Sequence, residues 1–249
     1  MAHRHANGAN EPMTDCSEYS REFLRWLRRY VDGLPTASLS QVIADAGGAS
    51  QVWVVGVDLI KGFCVSGPLA GQRAAAIVEP CAALVQRAWA AGVRRVFMAR
   101  DAHGPDAEEF RSWPVHCVAG TEESELVDEL AALPMANEFR IVDKNSLSAL
   151  QDTDLQRAIE TDGLPRAVIC IGDCTDLCTY NLAMGFRMIA NARNQPLEVI
   201  VPADCVETYH LGVEAAAEIG ALPHDGDLLH HVFLYHLALN GCRVVASIR

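Results

Sequence analysis

Four distant stretches of this chain carry side chains that could do chemistry together. They are Asp58, the triplet Asp101-Ala102-His103, Lys144, and the run Gly172-Asp173-Cys174-Thr175-Asp176-Leu177-Cys178. A thiol next to an ammonium and a carboxylate is the equipment of nucleophilic acyl transfer: the cation favours thiolate and the acid moves a proton. Taken singly, each residue has a plain structural reading, with Asp58 capping a turn, Lys144 ending a strand in solvent and Cys178 filling core. Their conjunction at strand ends is what points to a site. Thr175 or Asp173 is expected to cap the helix that follows, which puts Cys178 in its first turn. Free backbone N–H groups and the positive end of the helix dipole favour a thiolate there and could form an oxyanion hole. Cys170, Cys174 and Cys178 lie four apart, but one is expected in a strand and the next in a turn. They therefore share no helical face, and a metal knot or disulfide is rejected.

A second group consists of Asp101, His103, Glu109 and the run Trp113-Pro114-Val115-His116-Cys117. Two imidazoles with one or two carboxylates suit a borderline divalent cation such as zinc, manganese or ferrous iron. The competing reading has Asp101 capping a turn and both histidines solvated in a loop. Placement beside the thiol favours the metal.

These residues need a scaffold that brings strand ends together. Six short apolar or β-branched runs read as strands: 52–60, 94–100, 139–144, 166–173, 197–204 and 242–248. Helical spacing fills the intervals at 82–92, 123–133, 155–163, 177–193 and 228–241, and several of these segments end at glycine. Strands buried on both faces and separated by helices imply an α/β fold, a Rossmann-like three-layer α/β/α sandwich with a six-stranded, mostly parallel sheet and right-handed crossovers. Ligands of such sheets bind beyond the carboxyl ends of the strands, where the residues above lie. Ahead of this domain, at 51–249, Tyr19, Phe23, Trp26, Leu27 and Tyr30 form one helical stripe. A second short helix is expected over 39–46. Residues 17–50 thus read as a helical extension ending in a Gly47-Gly48-Ala49-Ser50 linker, and residues 1–16 as a disordered tail.

The composition narrows the function. The 249 residues carry 20 Lys+Arg against 32 Asp+Glu, a net charge of −12, which repels nucleic acid and anionic lipid and leaves a small molecule as the expected partner. No apolar run is long enough to span a bilayer and no signal-peptide pattern opens the chain, so a cytoplasmic location is expected. Nine scattered cysteines fit reduced thiols in that compartment.

Asp58 in VDLIKGF, Lys144 after a strand and Cys178 in TDLC resemble the Asp, Lys, Cys triad of the isochorismatase-like cysteine hydrolases, over residues 52 to 248. Within that family, Asp101-x-His103 followed by Trp113 to Thr121 is similar to the metal-binding signature of nicotinamidases. The resemblance implies Asp58 as proton acceptor, Lys144 as supporting cation and Cys178 as nucleophile, with the backbone N–H groups of Cys174 and Cys178 as oxyanion hole. It implies a non-proline cis peptide between Asp173 and Cys174. It further implies a divalent metal, zinc foremost, on Asp101, His103 and His116, with Glu109 a ligand in some members, and Phe63 and Trp113 flanking the substrate ring. The implied reaction converts nicotinamide to nicotinic acid and ammonia through a Cys178 thioester, a step of NAD salvage. Ile60 stands where nicotinamidases usually carry Gln, and Ala102 where they often carry Trp. Two alternatives therefore stay open: hydrolysis of another small aromatic or heterocyclic amide, and a non-catalytic binding or oligomeric scaffold. The apolar stripe of the extension must bury against the domain's flank or a neighbouring subunit, so a homo-oligomer is a further possibility.

Overall fold

The computed structural model describes residues 16–249, and the tail expected at 1–16 lies outside the described residues except for Cys16. The strands are β1 (Thr36–Ala37), β2 (Val52–Val57), β3 (Arg95–Asp101), β4 (Arg140–Lys144), β5 (Ala167–Asp173), β6 (Glu198–Pro202), β7 (Val206–Glu207), β8 (Arg243–Val245) and β9 (Ser247–Ile248). The helices are α1 (Cys16–Asp32), α2 (Leu39–Asp45), α3 (Lys61–Cys64), α4 (Gln72–Ala76), α5 (Val78–Ala90), α6 (Asp128–Ala131), α7 (Asp154–Asp162), α8 (Cys178–Arg193), α9 (Val213–Ile219) and α10 (Gly226–Leu239). The central sheet runs β4-β3-β2-β5-β6-β8 with every pair parallel, and β7 continues beside the end of β5.

Alternation along β2 explains the three layers. Val52 and Val54 face a core that includes Cys81, Leu84 and Val85 of α5, and Trp53, Val55 and Val57 face the opposite core with Leu182 and Phe186 of α8. A strand buried on both sides must read as a continuous apolar run, as this one does. The chain winds outward from β2 to β3 to β4, then returns to place β5 on the other side of β2. That reversal leaves a crevice between the ends of β2 and β5, the usual place for a ligand in an open parallel sheet.

Several elements differ from expectation, each for a local reason. The first strand stops at Val57 rather than at residue 60, because Asp58 turns the chain with a φ of 59°. The run 242–248 splits into β8, in the central sheet, and β9, which pairs with β1 in a separate two-stranded sheet. Counting β7, the central sheet has seven strands rather than six. The expected helix over 123–133 is a short 3-10 turn at Glu122–Ser124 followed by the single turn of α6. The Gly47-Gly48 pair ends α2 with positive φ angles, and the chain enters β2 directly through another 3-10 turn.

The N-terminal extension is fastened to the body at both ends. β1 pairs with β9, and the Leu39 N–H donates to the Arg249 carbonyl at 2.7 Å. α1 lies along α10, where the rings of Phe23, Trp26 and Tyr30 surround Tyr235 with centroids 5.5 to 6.2 Å away. The stripe therefore covers the domain's own flank, while Phe23 and Trp26 each keep 41% of their surface exposed. Leu27, 1% exposed, is its buried anchor. Replacing Leu27 with Ala is expected to cost about 2–4 kcal/mol in urea unfolding, with the activity proposed below unchanged. No helix among the described residues is long and apolar enough to cross a membrane.

Candidate active site

Sheet register assembles the charged groups. Asp101 and Lys144 are direct partners across β3 and β4, so their side chains leave the sheet edge together. One strand further, Asp58 follows β2 and donates its N–H to Ala99 at 2.8 Å, while its Oδ1 accepts the Asp101 N–H at 3.0 Å. Beyond it, Val57 lies opposite Gly172 of β5. Gly172 has a φ of 117°, and a Cβ there would sit 1.9 Å from the Val57 carbonyl oxygen. Only glycine lets the two backbones approach this closely, and that approach brings the 173–178 loop over Asp58.

Within this crevice the Lys144 Nζ lies 2.5 Å from Asp101 Oδ1, 2.9 Å from Asp58 Oδ2 and 3.6 Å from Cys178 Sγ. All four residues are buried; Cys178, at the floor of the crevice, is 5% exposed. The acid, the amine and the thiol of the sequence reading are thus brought together. Burial pushes the Asp58 carboxyl up and Lys144 pulls it back, leaving it at about 6, close to neutrality for a proton acceptor. Burial acts the same way on Asp101, but Lys144 and the two histidines outweigh it and hold that carboxyl well below the usual range. Burial disfavours the Lys144 ammonium, yet Asp58, Cys178 and Asp101 together hold its proton firmly. For Cys178, burial pushes the thiol up by more than Lys144 draws it down. Burial thus works against the thiolate that its place at a helix start suggests.

The expected capping also differs. Leu177 is the N-cap residue of α8 and caps with no side chain. Asp173 is buried, with its carboxyl pushed well up by burial and then by the charge of Asp58. Thr175 Oγ1 bonds instead to His230 Nδ1 at 2.9 Å. The peptide bond between Asp173 and Cys174 is cis, as the resemblance implies. Among the described residues the N–H groups of Cys174 and Cys178 have no protein acceptor, whereas those of Leu177 and Thr179 both donate to the Cys174 carbonyl. Two free donors thus bracket the nucleophile. Cys170, Cys174 and Cys178 are free thiols.

Beside the thiol, ligand atoms of Asp101, His103, Glu109 and His116 all lie within 4.8 Å of one another. Asp101 and His103 are two apart in extended chain, so both face the same side. The His103 segment is held to the His116 segment by a bridge to Val118, with His103 N–H donating to Cys117 and Ala119 N–H donating back. Each imidazole is oriented through Nδ1, His103 against Asn145 Oδ1 at 3.0 Å and His116 against the Pro114 carbonyl at 2.7 Å. That leaves both Nε2 atoms for the space shared with Asp101, and His103 Nε2 is buried with no hydrogen-bond partner. Two oriented imidazoles, an orphaned nitrogen and two carboxylates fit a borderline divalent ion.

Phe63 lies with its ring 5.8 Å from that of His116, and Trp113 meets Tyr209 edge-on at 6.2 Å. A cleft lined by Glu109, Trp113, Ser146 and Asn181 opens beside the first turn of α8. Ile60, which stands where the resemblance has an amide, is fully buried and bridges to Leu126. Sequence reasoning missed Asn145, Phe110 and Tyr209. Phe110 packs edge-on against both metal-site imidazoles at 5.4 and 5.7 Å. Asn145 was signalled by following Lys144 at a strand end; Tyr209 had no motif to mark it.

Comparison with known proteins gives the family and the fold. Residues 52–222 match the isochorismatase domain model. The chain is 31% identical over 226 residues to Nicotinamidase 1 of Arabidopsis thaliana, covering 80% of this chain and 87% of that protein. Among solved structures, a cysteine hydrolase from Pseudomonas syringae superposes with a TM-score of 0.65 at 22% identity, covering 79% of this chain and 89% of the other. The pyrazinamidase of Pyrococcus horikoshii in complex with zinc superposes with a TM-score of 0.60 at 21% identity, covering 78% and 98%.

Proposed function

This chain belongs to the isochorismatase family of hydrolases, and on that premise we propose that it is a metal-dependent nicotinamidase. The observation that carries the reading is the four-ligand group of Asp101, His103, Glu109 and His116 next to Cys178, taken with the likeness to the plant nicotinamidase. Zinc suits these donors best, with manganese and iron as alternatives. When bound, the ion supplies a positive anchor for the nitrogen of a heteroaromatic ring. Phe63 and Trp113 flank the ring and keep water from it.

The reacting atoms belong to the protein. Cys178 Sγ attacks the carboxamide carbon while its proton passes to Asp58, so the thiolate forms only as it is consumed. Lys144 stabilises the negative charge as it moves between sulfur and carboxylate. The tetrahedral oxyanion rests on the N–H groups of Cys174 and Cys178. Asp58 returns the proton to the departing nitrogen, the C–N bond breaks and ammonia leaves a Cys178 thioester. Water, deprotonated by Asp58, then adds to the thioester carbon, and nicotinic acid leaves as the thiol is restored.

An ammonia-release assay with nicotinamide, pyrazinamide and benzamide tests the reading. Benzamide lacks the ring nitrogen, so its kcat/KM should fall at least about a hundredfold below that of nicotinamide, the loss of one oriented contact to a charge. Chelation should remove nicotinamide turnover and a divalent ion restore it. Benzamide turning over as well as nicotinamide, with no effect of chelator, would replace this reading with that of a general small-amide hydrolase.

A further inference from the structure

Behind the loop that carries the two oxyanion donors lies a buried polar network that the reaction itself does not use. Asp176 sits in sequence between Cys174 and Cys178, and both of its carboxylate oxygens are engaged by residues outside that loop. Its Oδ1 accepts from Thr208 Oγ1 at 2.5 Å, and its Oδ2 lies 2.7 Å from His224 Nε2. His224 Nδ1 lies 2.9 Å from the Tyr209 carbonyl. A carbonyl only accepts, so Nδ1 carries a hydrogen, and a further proton must lie between Nε2 and Asp176. The imidazole is also stacked on the Tyr209 ring, with centroids 3.8 Å apart and planes 18° from parallel. Tyr209 in turn meets Trp113 edge-on. The loop is tied further by Thr175, whose N–H donates to the Glu207 carbonyl on β7 at 2.9 Å and whose Oγ1 bonds to His230 Nδ1 at 2.9 Å.

We infer that Asp176 is a positioning residue for the oxyanion hole, and that His224 couples that loop to the aromatic wall formed by Tyr209. The inference rests on the proposed acyl transfer at Cys178. Ties at Thr175 and at Asp176, the latter relayed through His224 to the Tyr209 carbonyl, fix a segment that has only three residues between its free donors. An oxyanion hole works only when its donors are set before charge develops, so this anchoring acts on the transition state rather than on the resting thiol. His224 lies just beyond residues 52–222 matched by the family model. It also explains why a histidine and an aspartate are kept buried at 8% and 9% exposure away from the reacting atoms.

Three measurements on the metal-loaded full chain test it, using Asp176→Asn, His224→Gln and Thr208→Val. Propionaldehyde adds to a cysteine as a thiohemiacetal, forming a C–S bond and moving the thiol proton to the carbonyl oxygen, which then occupies the oxyanion hole. Iodoacetamide alkylates the same sulfur with loss of iodide and does not need the hole. The adduct should weaken about tenfold in Asp176→Asn and His224→Gln and less in Thr208→Val, a fraction of what removing a donor outright costs. Alkylation of Cys178 should stay within about twofold of wild type. With nicotinamide, Asp176→Asn should lower kcat with KM nearly unchanged, and His224→Gln should also raise KM by releasing Tyr209. Wild-type behaviour in all three variants overturns the inference, and so does alkylation falling in step with adduct stability. Thr208→Val, which removes one hydrogen bond, keeps the test decisive if Asp176→Asn fails to fold. A wild type that forms the adduct in the expected pattern but leaves nicotinamide intact overturns the nicotinamidase reading and leaves the positioning role standing.

Discussion

Replacing Cys178 with alanine should reduce ammonia release from nicotinamide to background, a loss on the order of 10⁴-fold or more. The reason is the absence of a second nucleophile. Lys144 is held protonated by its anionic neighbours, and Asp58 and Asp101 are tied to it at 2.9 and 2.5 Å. Removing one sulfur from a buried position should cost about 1 kcal/mol, so the variant should keep its circular dichroism spectrum and its metal. Cys178→Ser is the sharper form of the same test. Lys144 and Asp58 stay in place, but burial already holds the thiol above its ordinary range, and a hydroxyl gives up its proton far less readily. Serine should therefore be nearly as inactive as alanine. A serine variant with a few per cent of wild-type activity would mean that Asp58 alone suffices to activate a nucleophile here, and that proton transfer to it is not coupled to attack as proposed.

The sequence exposed the chemistry of the crevice better than its electrostatics. Asp58, Lys144 and the 173–178 loop were legible because strand-ending residues of a parallel sheet must converge, and strands buried on both faces are easily recognised. The Asp101-x-His103 alternation likewise placed two ligands on one side. What burial does to a charge leaves no trace in residue order. The helix start at Cys178 suggested a thiolate, whereas the 5% exposure of that residue pushes the proton back onto sulfur. Asp173 looked like a cap because acids favour that position, but it is buried and the N-cap of α8 is Leu177. The split of the last strand between two sheets depends on β1, a two-residue segment too short to carry a periodic signal. Asp176 was visible only as part of the TDLC run. Its partners Thr208 and His224 come from segments 32 and 48 residues away, and no local pattern announces them.

Lys144 should prove as important to the fold as to the reaction, and the two roles can be separated. Its side chain is fully buried between Asp58 and Asp101, so Lys144→Met removes the charge while keeping much of the volume. Two carboxyl groups are then left in the interior without their cation. Breaking a buried pair in this way costs about 3–5 kcal/mol, far more than the pair contributes over an apolar substitute, because the desolvation of the survivors is no longer offset. Urea unfolding of Lys144→Met should show a loss of that order. Adding Asp58→Asn removes one uncompensated acid, so the double variant should be more stable than Lys144→Met alone, by about 1–2 kcal/mol. Activity should move the other way: each single variant should lose about a thousandfold in kcat, and the double variant should recover none of it, since both the proton acceptor and the supporting cation are gone. Equal stability of the single and double variants would show that Lys144 answers chiefly to Asp101. The 2.5 Å contact would then be the structural pair, and the 2.9 Å contact to Asp58 would serve catalysis alone.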